Sequence, residues 1–226
     1  MVGALAALVR PWPPRAVGLV LGFGAGALIS AVSFELAAEG VDAGGADAVA
    51  VGLALGALTF YAADGLLARL GTGRARERRS QGSGPGPALA LGAFLDGIPE
   101  QLVLGLGIAA GGDVSIGLLA AIFVSNLPEA IGSAGAMRAS GERAIAIVRL
   151  WGGVAVACAL ASVVGYAVAD SASGNLVGAV DGFAAGALLV MLVDAMIPEA
   201  VERSGRVAGL VTTLGFAVAA GLSALS

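Results

Sequence analysis

The sequence contains no histidine and no lysine, so the commonest transition-metal ligand is missing and every positive charge is an arginine. A single cysteine, Cys158, can form no internal disulfide. Aromatic residues make up 5% and charged residues 12%, about half the charge of an ordinary soluble chain. With 58% hydrophobic residues over 226 positions and a mean hydropathy of +0.94, a soluble globular domain is excluded. The net charge of −4 and the lack of a basic excess exclude a nucleic-acid surface. No phosphate-binding loop and no nucleophile–base pair occurs, so neither an ATP-driven pump nor a hydrolase is indicated, and no enzymatic activity is expected.

What is present is a series of apolar runs. A helix needs about 20 mainly apolar residues to cross roughly 30 Å of hydrocarbon. Seven segments meet that length: 16–39, 48–67, 87–109, 114–137, 144–168, 176–198 and 207–225. Residues 1–9 are apolar too, but nine residues reach only about 13 Å as a helix. They read as a truncated first span, and they lack the charged start and cleavage region of a signal peptide.

The arginines assign a direction. Arg10, Arg15, Arg69, Arg74, Arg76, Arg78, Arg79, Arg138, Arg143, Arg149, Arg203 and Arg206 all fall in or beside alternate loops. The intervening loops carry acids, and Asp42, Asp47, Asp113, Asp170 and Asp181 read as solvated loop residues. Positive charge marks the cytoplasmic side, so the loop at 69–86 is expected inside a cell membrane and the C-terminus outside.

Two internal repeats order the spans. Residues 22–41, GFGAGALISAVSFELAAEGV, align with 182–201, GFAAGALLVMLVDAMIPEAV, with eight of twenty positions identical at an offset of 160. The same offset lays Ala48 onwards on Ala208 onwards. By the arginine map the two copies run oppositely, as in the inverted repeats of secondary transporters. A smaller repeat relates Leu95–Gln101, LDGIPEQ, to Val124–Ala130, VSNLPEA. The expected fold is an all-α polytopic membrane protein: a first repeat over 1–68, a cytoplasmic loop over 69–86, a central helix pair over 87–137 and a second repeat over 144–226.

Ionisable groups inside spans are costly and mark function by default. They are Glu35, Asp64, Asp96, Glu100, Glu129 and Asp194, with Glu39 and Glu199 nearer span ends. Asp96 and Glu100, four apart, share a helix face. Pro99 and Pro128 each remove a helical hydrogen bond and free a backbone oxygen beside these acids. Bare carboxylates in lipid would repel one another, and a bound divalent cation removes that conflict. Asp96, Glu100, Ser125, Asn126 and Glu129 are therefore the candidate metal-binding residues. Glu35, Glu39, Asp194 and Glu199 are candidates for the path to and from the site.

These motifs resemble the ZIP (Zrt-, Irt-like) family of divalent metal transporters in its compact bacterial form. The family's His-Asn-x-Pro-Glu-Gly motif is matched by Asp96-Gly97-Ile98-Pro99-Glu100-Gln101, and its second Pro-Glu motif by Ser125-Asn126-Leu127-Pro128-Glu129-Ala130. The resemblance implies a 3+2+3 helix bundle, with seven complete spans and the truncated first one. It also implies transport of zinc, manganese, iron or cadmium by alternating access, and a homodimer. Glu100 and Glu129 match the family's bridging glutamates, Asp96 stands at its histidine, and Gly97 stands where it has an asparagine ligand. An all-oxygen site leans toward harder ions than zinc. The alternative is a ZIP-like membrane protein that binds metal as a sensor or scaffold without transporting it.

Overall fold

The computed structural model describes residues 1–67, 97–98, 100–102, 104–105, 108–109, 116–170 and 173–224. The loop at 69–86, Asp96, Pro99, Asp113 and most of the expected third span lie outside these. Among the described residues every regular element is a helix. The order is α1 (Val2–Val9), α2 (Pro14–Gly44), α3 (Ala46–Leu67), α4 (Ile116–Ala139), α5 (Ala144–Asp170), α6 (Gly174–Ser204) and α7 (Val207–Ser223). The described positions between 97 and 109 are also helical.

Five of these helices, α2 to α6, are long and apolar enough to cross a membrane. The described chain is thus that of a polytopic helical membrane protein. The last expected span, α7, is apolar but only 17 residues long, at the lower limit for crossing. Helix α1 stops after eight residues because Pro11, Pro13 and Pro14 follow. Trp12 closes the turn, donating from Nε1 to the Ala6 carbonyl at 3.3 Å, and the Arg10 guanidinium lies over its ring.

Helices α2 and α6 each run for 31 residues, about 46 Å, well past the apolar stretch the sequence marks. Glu39, Asp42, Glu199 and Glu202 end the apolar pattern without ending the helix, because Glu39, Asp42 and Glu202 are exposed to solvent and Glu199 is ion-paired with Arg203. Each helix stops at a glycine with positive φ, Gly45 at 85° and Gly205 at 66°, a conformation open to glycine and strained for other residues. Each also carries a π-helical stretch in its interior, Val32–Ala38 in α2 and Leu192–Met196 in α6. The π segments and the two glycines all recur at the offset of 160.

The halves interlock. Helices α2 and α6 pack along each other, and each also packs extensively on one further helix, α2 on α7 and α6 on α3. Glycines set both contacts: a Cβ on Gly26 would overlap the Thr212 carbonyl oxygen, and one on Gly186 the Leu53 carbonyl oxygen. Gly215 abuts the Phe23 carbonyl as Gly56 abuts that of Phe183. Small residues let backbones approach this closely, and van der Waals contact holds helices together where lipid is as apolar as leucine. Here the contacts correct the alignment. Thr212 takes the role of Leu53 and Gly215 that of Gly56, one residue short of the offset that relates α2 to α6.

Helices α3 and α5 are mostly exposed and present Val51, Leu55, Leu58 and Tyr61, and Val156, Leu160, Val163 and Tyr166. Contiguous apolar surface on that scale fits contact with lipid tails. Helices α2, α4 and α6 are the more buried layer. The core gathers Leu21, Leu28, Leu36, Ile122, Ile131, Leu188, Met191 and Met196 around them.

Candidate metal site

Helix α4 holds Pro128 in its interior, fully buried. Proline cannot donate to the carbonyl four residues back, that of Val124, and the turn before it carries two side-chain hydrogen bonds of its own. Ser125 Oγ donates to the Ile122 carbonyl at 3.0 Å and Asn126 Nδ2 to the same oxygen at 2.9 Å. Both side chains also reach the neighbouring helical stretch. Ser125 Oγ lies 3.3 Å from Glu100 Oε1, and Asn126 Nδ2 donates to Glu100 Oε2.

Glu100 is 2% exposed. A carboxylate so placed needs charge-stabilising partners: the Asn126 amide, with two protons, serves Glu100 Oε2 as well as the Ile122 carbonyl, and the single Ser125 hydroxyl proton is shared between Glu100 Oε1 and that carbonyl. Glu129 follows Ser125 by four residues and Asn126 by three, so it stands one turn on, on the same face of α4. Its Oε2 is buried. Four of the five expected metal-binding residues thus fall on two neighbouring helical stretches, three of them in hydrogen-bonded contact. The fifth, Asp96, lies outside the described residues. No group of three or more His, Cys, Asp or Glu side chains placed to hold a metal is found among the described residues. The donor set here is two carboxylates with one hydroxyl and one amide, all able to offer oxygen, which suits hard divalent cations.

The site is clamped from two sides. Gly24 of α2 lies against it: a Cβ there would stand 2.8 Å from Ser125 Cα. On the other side α5 approaches the 97–109 stretch through Gly105 at the Ser162 carbonyl and Gly165 at the Leu102 carbonyl, and Ser162 Oγ donates to Gln101 Oε1 at 3.0 Å. Gly97 is buried, and a Cβ on it would stand 3.2 Å from Cys158 Sγ and 3.9 Å from Asn126 Oδ1. Cys158 therefore occupies the space into which a larger side chain at 97 would grow.

The four path residues fall in different settings. Glu35 is 6% exposed, inside the π segment of α2. Glu39 is exposed at the next turn, within electrostatic reach of Glu35. Asp194 lies in the second π segment but on an exposed face, because its counterpart at the repeat offset is Phe34, not Glu35. Glu199 is partly buried and ion-paired with Arg203 at 2.8 Å.

Asp181 corrects the expectation of a solvated loop acid. It sits two turns inside α6 and is only 7% exposed. Gly40 of α2 makes the room for it: a Cβ there would stand 3.1 Å from Asp181 Cβ. The signal available in sequence was the glycine at 40 where the repeat mate has Ala200. Comparison of the chain with family models and with curated proteins finds no match.

Proposed function

We propose that the chain carries divalent metal cations across a membrane, with the ion held midway between Glu100 and Glu129 and completed by Ser125, Asn126 and Asp96. The observation that carries this reading is the buried Glu100 carboxylate facing Ser125 and Asn126 across two helices, with Glu129 one turn away. An acid in the interior of a membrane helix bundle, presented with other oxygen donors, is the chemistry a dehydrated cation needs. In this reading no covalent step occurs and the chain is not an enzyme. The ion is substrate, and the lipid bilayer and the cation are the partners.

The finer architecture belongs to the same proposal. It comprises a ZIP-like 3+2+3 plan with seven complete spans, inverted repeats, arginine-rich loops on the cytoplasmic side of a cell membrane, the C-terminus outside, and a homodimer. The recurrence of π segments, terminal glycines and glycine–carbonyl contacts in the two halves supports alternating access, since two equivalent halves can exchange conformations about a shared central pair. The oxygen-only donors favour manganese, iron or magnesium over zinc.

The test is metal flux into proteoliposomes, screening Zn²⁺, Mn²⁺, Fe²⁺, Cd²⁺ and Mg²⁺, with a Glu100→Gln/Glu129→Gln variant alongside. Saturable flux in the native chain, lost in the variant, is expected. Metal binding without flux identifies instead the sensor or scaffold, and absence of binding overturns the site.

A further inference from the structure

The acids of α2 and α6 form a second constellation, apart from Glu100 and Glu129. Glu35 is buried inside the π segment, and its Oε2 has no hydrogen-bond partner among the described residues. Asp181 is buried on α6 over Gly40. Glu39 lies within electrostatic reach of both, since its charge acts on Asp181 and that of Glu35 acts on it. Among the described residues, the helices that surround them bring no counter-charge near these acids. No arginine occurs between residues 16 and 68 or between 150 and 202, and α7 carries no ionisable residue. The remaining charged groups near by are Asp42, exposed on α2, and Asp47, in the first turn of α3 next to the Val49 that meets Gly40.

A buried carboxylate with no cation and no donor beside it is neutralised by taking up a proton, because the desolvated charge costs far more than the protonated acid. A metal ion is the other way to neutralise such a group. The described residues offer no three metal-ligating side chains converging here or elsewhere. The π segment adds a second reason to look here, since π-bulges are kept mostly at functional sites, where they re-aim a side chain at the expense of a regular hydrogen bond.

We propose that Glu35 and Asp181 form a proton-binding site, reached from the surface through Glu39 and Asp42, whose protons move in exchange with the transported cation. This rests on the transport reading above for its role, though not for its existence. Two carboxyls taking one proton each match the charge of one divalent ion. In the step itself an O–H bond forms on each carboxylate as a proton arrives from water, and breaks as it returns. Helix α2 joins the two sites: Glu35 lies on it, and so does Gly24, which lies against the backbone of Ser125.

The experiment has two arms. In the first, infrared spectra of the purified full chain at neutral pH are recorded for the native protein, Glu35→Gln and Asp181→Asn. The protonated-carboxyl stretching band is expected in the native spectrum and reduced in each variant. Asp181→Leu, which copies the corresponding Leu21, serves if the amide variant does not fold. Absence of the band from native protein, or its persistence undiminished in both variants, overturns the site. In the second arm, proteoliposomes carry a pH dye and a metal dye together. Native vesicles are expected to move protons against metal, and Asp181→Asn, which lies off the metal path, to retain saturable metal flux while losing most of the accompanying proton movement. Unchanged proton movement in Asp181→Asn overturns the coupling. Absence of metal flux in native vesicles counts against the transport reading alone, because the infrared arm decides the proton site independently.

Discussion

The two halves of the molecule share a backbone and differ in charge. Helices α2 and α6 have the same length, a π interruption at the same place and the same terminal glycine, and each packs on the last helix of the other half. Their chemistry diverges at the far turns. Near Gly45 the acids Glu35, Glu39 and Asp181 stand together without a base. Near Gly205 the equivalent Glu199 is held by Arg203, whose counterpart in the first half is Ala43, and the positions equivalent to Asp181 and Gly40 carry the buried, apolar Leu21 and Ala200. Packing in lipid depends on small residues at set positions, so it tolerates few changes and stays symmetric. Charge is decided by single side chains and is free to differ. The backbone is thus alike in the two halves, while the acids make one end distinct from the other.

The largest expected effect tests the shared backbone. Gly26→Ala and Gly186→Ala each drive a methyl group into a backbone carbonyl of the partner half, and backbone cannot rotate away as a side chain can. Each is expected to lower stability by about 1–3 kcal/mol in thermal unfolding in detergent, and the two by similar amounts. Gly209→Ala, with open space around it, serves as the control and is expected to stay within about 0.5 kcal/mol. A large effect from one glycine and none from its mate breaks the symmetry.

Next in size is a change that separates the halves. Gly24 presses on Ser125, whereas its repeat mate is already the buried Ala184. Gly24→Ala is expected to displace Ser125 by enough to weaken divalent-metal binding about tenfold, equivalent to about 1.4 kcal/mol, measured by calorimetric titration. Ala184→Gly removes a methyl from the core and is expected to cost about 1 kcal/mol of stability while leaving metal affinity unchanged. Equal losses of affinity in both variants would remove Gly24 from the support of the site.

How much of this was legible in sequence follows the same division. The apolar runs marked the membrane helices because length and composition alone decide whether a segment can lie in lipid. The Pro-Glu repeats marked α4 and the 97–102 stretch, and Ser125, Asn126 and Glu100 meet as that repeat implied. The π segments were not legible, since a shift of one residue in hydrogen-bond register leaves no signature in residue type. The extension of α2 and α6 past Glu39 and Glu199 was missed because an end to hydrophobicity is not an end to helix. Asp181 was missed for a different reason. Its burial depends on Gly40, well over a hundred residues earlier, and no local pattern carries that contact. The one-residue slip of α3 against α7 is likewise a property of facing glycines and carbonyls, which an alignment of one helix with its mate does not contain.

The smallest expected effect concerns the charges at the two ends. Glu199 Oε1 accepts from both Nε and Nη2 of Arg203, at 2.9 and 2.8 Å, and both side chains are largely shielded. Replacing Glu199 with Gln leaves the guanidinium without its carboxylate and is expected to cost about 1 kcal/mol of stability, somewhat more than an exposed pair would. It is also expected to slow metal release, seen as slower efflux at unchanged affinity. Glu39→Gln at the equivalent position removes a charge that faces only other acids, Glu35, Asp42 and Asp181, and so relieves repulsion. It is expected to leave stability unchanged or raise it by a few tenths of a kcal/mol, and raised salt, by screening the exposed charges, should shrink the difference between the two variants. If instead Glu39→Gln destabilises as much as Glu199→Gln, a cation must already sit among the acids of that end, and the two ends are alike in charge as well as in backbone.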